Sequence, residues 1–211
     1  MQRNRSGEFL AYWDRLCGPR AAPERSEIAP SAIASQLADT FMLQTDAGCE
    51  SQFRLAGTRI CSIHGRELKH MPFAMLWHPK DRSSISRLVK SCMMDKTSMR
   101  LDIEGTTARG RKALFELTLL PLASEANVHY LIGTIIALGR PFWLESDPIV
   151  ENRIQTVAPL DPRKAMRERH EIPASSNAAE TRTFNSRTII SRKVGHLHVL
   201  NGGKSIDTDS N

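Results

Sequence analysis

Phe53-Arg-Leu-Ala-Gly57, then Ile63-His-Gly-Arg-Glu-Leu68, then Leu76-Trp-His-Pro-Lys-Asp-Arg82: this stretch decides how the rest of the chain is read. Residues 50–57 place Phe53 and Leu55 on one face with a period of two, the pattern of a strand ending at Gly57. Thr58 is suited to cap a short helix carrying Ile60 and Ile63. Gly65 closes it in the left-handed conformation that glycine adopts without penalty. Leu68, Met71, Phe73 and Leu76 mark one more short turn or helix over 66–76, broken by His78-Pro79. Asp81 or Ser83 then caps the longest helix, about 82–94, whose apolar face is Ile85, Leu88, Val89 and Cys92 at i, i+3, i+4, i+7.

Upstream, Thr40-Phe-Met-Leu-Gln-Thr-Asp46 reads as a strand that pairs with 50–57 through a turn at Asp46-Ala47-Gly48. Downstream, Met99, Leu101 and Ile103 alternate with Arg100, Asp102 and Glu104. A turn is expected over Gly105–Gly110. A strand over 112–122 follows, with Ala113, Phe115, Leu117 and Leu119 on one face. The run 129–138 is apolar on both faces, as a central strand covered on both sides must be.

Before the first strand, Phe9, Trp13, Leu16 and Cys17 form the stripe of a helix over 7–17, ended by Gly18-Pro19. Pro30, Ile33 and Leu37 indicate a second short helix over 30–37. After Gly139-Arg140 the periodicity fades into five prolines, Pro141 the first, and a Ser/Asn/Ala/Thr stretch. The division expected is therefore a helical flank (1–38), a domain (39–139) and a polar, mostly disordered tail (140–211) with a short strand at 189–200.

The order of helices, two strands, several short helices and three strands resembles a PAS domain, and the quoted motifs strengthen the resemblance. Phe53 to Leu68 looks like the PAS run of strand, short helix, glycine and polar-polar-Glu-Leu turn. Leu76 to Arg82 resembles the His-Pro-x-Asp-Arg entry to the long PAS helix. Gly18-Pro-Arg-Ala-Ala-Pro-Glu-Arg25, after a Trp-containing helix, is similar to small stand-alone PAS proteins of the alphaproteobacterial type. The resemblance implies an α+β fold: a five-stranded antiparallel sheet, short helices on one face, the N-terminal helix flanking and an irregular C-terminal tail.

Composition sets the outer limits. The 211 residues are 40% hydrophobic and carry a net charge of +6, and the excess is spread over both halves without a basic arm. A mildly basic surface is expected, and nucleic-acid binding is not. The N-terminus lacks an apolar core of a secretory signal and no run approaches a membrane span, so a cytoplasmic protein with reduced thiols is expected. Catalytic motifs are missing from the sequence, and no enzyme is expected.

Flavin photochemistry is not expected, because Arg59-Ile-Cys-Ser-Ile63 lacks the Asn and Arg-Phe that flank a photoactive PAS cysteine; Cys61 reads as a buried structural thiol. Haem is not expected either: His64 is read as facing solvent and His78 as part of the Pro-containing motif. His196 and His198 lie two apart but lack a third ligand, so no metal site is assigned.

Two functional readings remain. In the first, a small apolar ligand occupies a cup lined by Phe53, Ile60, Ile63, Leu76, Trp77, Leu88 and Leu117. In the second, which is favoured because large side chains fill those positions, the cup is packed core. The domain is then a non-enzymatic signalling module acting through a regulatory partner protein and through homodimerisation, with Phe9, Trp13, Leu16, Tyr130 and Ile132 at the interface. A DNA-associated regulator using Arg163, Lys164, Arg167 and Arg169 is a lesser alternative.

Overall fold

The computed structural model describes residues 3–46, 50–124, 126–160, 191–194 and 197–200, as backbone alone for 3–5 and for the last two segments. In chain order these form α1 (Arg3–Cys17), β1 (Thr40–Thr45), β2 (Gln52–Ala56), α2 (Thr58–His64), α3 (Arg82–Asp95), β3 (Met99–Thr107), β4 (Lys112–Pro121), β5 (His129–Ala137) and β6 (Ile149–Pro159), with 3₁₀ turns at Arg25–Glu27, Pro30–Asp39 and Phe73–Leu76. A second unit, Ile172–Asn211, contains the antiparallel hairpin β7 (Ser191–Val194) and β8 (Leu197–Leu200), where a single strand was expected.

The sheet runs β2-β1-β5-β4-β3-β6, antiparallel throughout. β5 lies between β1 and β4, and its two apolar faces have two different covers. Leu131, Ile135 and Ala137 join the large core beneath α2, the 73–76 turn and α3. Tyr130 and Ile132 join a second cluster with Phe9, Leu10, Tyr12, Trp13 and Cys17 of α1. Helix α1 is thus the outer cover, docked on the sheet of its own chain. Gly18, at φ +56°, ends it.

Several expectations are corrected. The sheet has six strands, not five, and β6 comes from the segment assigned to the tail. Two bulges hide it: one residue is skipped between the partners of Thr106 and Thr107, another between those of Asp102 and Ile103. The β6 residues paired with the inward row of β3 are therefore Ile149, Asn152, Ile154 and Val157, a spacing that matches no regular strand. Gly105 lies inside β3, and the turn comes later, with Gly110 at φ +77° and the Thr107 hydroxyl accepting the Arg109 and Arg111 N–H groups. Leu37 is exposed, so the 30–39 segment buries Ile33 without a continuous stripe. Gly57, not Thr58, occupies the N-cap of α2.

A single segment, residues 70–81, meets both edges of the sheet. On β2, the Phe53 N–H donates to Met71 O (3.0 Å) and the His70 N–H to Phe53 O (2.7 Å). On β6, the His78 N–H donates to Asn152 O (3.0 Å) and the Asp81 carboxylate accepts the Ile154 N–H (3.3 Å). Open edges invite pairing with other chains, and this segment occupies part of each.

Gly65 confirms its expected role, with φ +63° at the end of α2. A Cβ there would lie 2.6 Å from Pro148 Cγ, in the link that leads into β6. Gly65→Ala is expected to lower stability by about 2 kcal/mol, through left-handed strain and displacement of Pro148. A thermal melt that matches the wild type would show that the link moves aside at no cost.

Candidate functional site

The concave face of the sheet, β1 to β5, and the helices above it define the cup in which a ligand was sought. Phe53, Ile60, Ile63, Leu76, Trp77 and Leu117 all lie there, each 0–2% exposed, in one cluster. Leu88 is the exception: it is half-buried at the rim, because α3 turns Ile85, Val89, Cys92 and Met93 inward instead. Phe41, Phe53 and Phe73 are in mutual ring contact and Trp77 stands against Phe73, with centroids 5.4–5.8 Å apart. Side chains that line a void wide enough for water have accessible surface, and these have almost none. The cup is filled by its own residues. One polar atom there is unsatisfied: the Trp77 indole N–H is buried with no hydrogen-bond partner among the described residues.

Where β6 meets the cup, a polar seam runs beside the apolar packing of Ile149 and Ile154. His64, expected in solvent, is buried, since the helix that presents Ile60 and Ile63 inward turns His64 under β6. Burial, only partly opposed by the hydrogen bond to the Ile60 carbonyl and slightly reinforced by the nearby Arg66 charge, brings its pKa down to about 4. The ring is therefore neutral at pH 7. Its Nδ1–H is assigned as donor to Ile60 O (2.9 Å), which leaves the Nε2 lone pair to accept from the Asn152 side-chain amide (3.3 Å). The second Asn152 N–H donates to Leu76 O (2.9 Å). Gly105 makes room for two core side chains and this amide: a Cβ there would stand 2.8 Å from Phe115 Cε2, 2.9 Å from Ile149 Cγ2 and 3.1 Å from Asn152 Oδ1. Both His64 nitrogens are engaged inside the protein, and neither points at a ligand.

Asp81 makes the other end of the seam. It stands at the N-cap of α3 but makes no side-chain capping bond, and its backbone is helical at φ −101°, ψ −11°. Its carboxylate instead pairs with Arg153 Nε (3.4 Å) and accepts the Ile154 N–H. In this chain the Asp of the His-Pro-x-Asp-Arg run pins a strand, where capping was expected. Sequence reading missed Asn152, and the bulges beside it are the reason.

The three described cysteines are free thiols. Cys61 is half-buried on α2, less buried than expected, and burial raises its pKa. Cys92 is buried, and its pKa is pushed up to about 12. Cys17 Sγ donates to Arg20 O. Among the described residues no cluster of metal-ligating side chains occurs and no helix is long and apolar enough to cross a membrane. His196 and the arginines of 163–169 lie outside the described residues, and His198 is described in backbone only.

Outside the cup, a cleft of about 370 Å³ lies between Asp39, Arg59 and Ile63 on one side and the 136–146 link on the other. Asp39 and Arg59 pair at 2.5 Å, and Phe142 is 93% exposed at the rim. On the convex face, Phe9, Trp13, Tyr130 and Ile132 are buried together and Leu16 is half-buried against them, with Trp13 Nε1–H donating to Pro121 O at 2.9 Å. The residues expected at a dimer interface are thus gathered in one cluster, closed within one chain.

Residues 1–136 match the family model described as PAS domain. The chain belongs to the PAS domain family. PAS domains are signalling and sensory modules, and the α+β architecture described above is theirs, extended here by β6. Nothing among curated proteins matches this one. Among solved structures, the domain is similar to a point variant of RsLOV (14% identity, TM-score 0.39, covering 52% of this chain and 66% of that one) and to the Rhodobacter sphaeroides LOV protein (12%, 0.38, 69% and 74%). It is also similar to an RNA-binding light-oxygen-voltage receptor (18%, 0.36, 59% and 36%). The chain thus spans 66%, 74% and 36% of those three proteins.

Proposed function

We propose that this PAS domain is a non-enzymatic regulatory module that works through its surfaces, binding a partner protein and a second copy of itself without a resident cofactor. The observation that supports this most is the filled cup: six of the seven residues expected to line a ligand site are 0–2% exposed against one another. A domain whose interior is occupied by its own side chains transmits by changing which surface it offers. Homodimerisation through the α1 cluster requires exchange of α1 between copies, since each chain already buries Phe9 and Trp13 against its own sheet.

Native mass spectrometry of the purified full chain, with an absorption spectrum, tests the reading. The expected result is a protein mass without an added molecule, no visible absorption, and a dimer species. A stoichiometric small molecule would overturn it. That outcome is the second reading, a small-molecule sensor, and it rests on one observation: the unpaired Trp77 N–H is a buried donor that a ligand carbonyl would satisfy.

A further inference from the structure

We infer that β6 is a detachable strap, and that Asp81 is the two-position latch that releases it. The inference concerns the fold's own regulation and stands whichever surface the partner uses.

Burial sets β6 apart from the rest of the sheet. Of its eleven residues only Ile149 and Asn152 are buried, whereas every residue of β5 after His129 is buried. Strands that bury little apolar surface open at lower free energy than the core. Two bulges further interrupt the ladder to β3. Beyond its ladder to β3 and the packing of Ile149 and Ile154 on the core, β6 is held by a short set of polar contacts: Asn152 to His64 and Leu76 O, His78 N–H to Asn152 O, and Asp81 to Arg153 and Ile154 N–H.

Asp81 makes the opening two-state. An Asp at an N-cap accepts hydrogen bonds from the N–H groups two and three residues on, here Ser83 and Ser84. In the closed state its carboxylate is spent on β6, and the first turn of α3 has no side-chain cap. When β6 leaves, the backbone of Asp81 turns to the extended conformation of a capping residue and the carboxylate moves to the helix. The cap partly offsets the lost strand contacts, so the open state is a defined alternative. Helix α3 packs on the cup through Ile85, Val89 and Cys92, and β6 is the element that leads out of the domain toward residue 160. A change in the cup and the release of β6 are thereby joined through one carboxylate.

Amide hydrogen exchange on the full chain, read residue by residue, tests this. In the wild type, Ile154 and its β6 neighbours are expected to exchange at least about 100-fold faster than the central amides of β4 and β5. In Asn152→Ala, which loosens β6 without touching Asp81, Ile154 exchange is expected to rise about tenfold while Ser83 and Ser84 slow several-fold as Asp81 caps them. If β6 amides are protected as well as those of β4, the strap does not detach. If Ser83 and Ser84 are unchanged or faster in the variant, Asp81 is not the latch. The wild-type measurement decides the first point without any variant. Ile154→Ala supplies the second if Asn152→Ala does not fold.

Discussion

Replacing Trp13 by alanine is expected to cost about 4 kcal/mol of folding stability, the largest loss among changes on the convex face. The indole is 3% exposed, packs with Phe9, Tyr130 and Ile132, and donates to the Pro121 carbonyl at 2.9 Å. Truncation removes the buried rings, leaves a cavity under α1 and strips that carbonyl of its side-chain donor. Leu16→Ala, on the half-buried flank of the same helix, should cost under about 1.5 kcal/mol. Denaturant unfolding of both variants measures the contrast, and its concentration dependence separates two arrangements of α1. A cover that stays on its own chain gives a Trp13→Ala loss independent of protein concentration. A cover exchanged between copies gives a midpoint that rises with concentration in the wild type and less so in the variant. Equal, small losses for the two variants would mean that α1 contributes little to the fold.

The sequence was most readable where each strand keeps a period of two and each helix buries one stripe. Met99, Leu101 and Ile103 fell on the inner face of β3 as their alternation required, and β5 was central because both of its faces are apolar. Gly65 was recognisable because a left-handed helix end admits few other residues. The site was less so. His64 and Asn152 lie 88 positions apart and meet only because β6 folds back over α2, a contact with no local signature. β6 itself was concealed by bulges that shift its inward row by one residue twice. The Asp81 carboxylate shows the remaining limit. Its position before a helix matches a cap, yet a backbone N–H and an arginine from β6 compete for the same oxygens and win, and that competition exists only in the folded chain. Six of the seven residues read as lining a cup are buried together and Leu88 lies at the rim, since spacing along α3 does not distinguish its rim from its inner face.

Acid is expected to weaken the fold through His64 by about 3 kcal/mol. Burial holds its folded pKa at about 4, below the ordinary value of 6.5, so the unfolded chain takes up the proton more readily than the native one. The contribution is therefore fully present above about pH 6.5, declines as the pH falls toward 4, and levels off below that. The structural reason is specific. A protonated ring has no lone pair at Nε2, so it faces the Asn152 amide donor to donor, and the added charge is buried beside the Arg66 guanidinium. Stability of the wild type and of His64→Gln, measured by denaturant titration at pH 7, 6, 5 and 4, reads this directly. Every group other than His64 is common to the two proteins, so the difference between the curves isolates the imidazole. The gap between the two curves should favour the wild type at pH 7 and close, or reverse, by pH 4. Parallel curves across the whole range would sink the assignment of a buried neutral His64. If the pH-dependent gap appears and β6 amides also lose protection in acid only in the wild type, then the ring is both a buried base and one of the contacts that keep β6 closed.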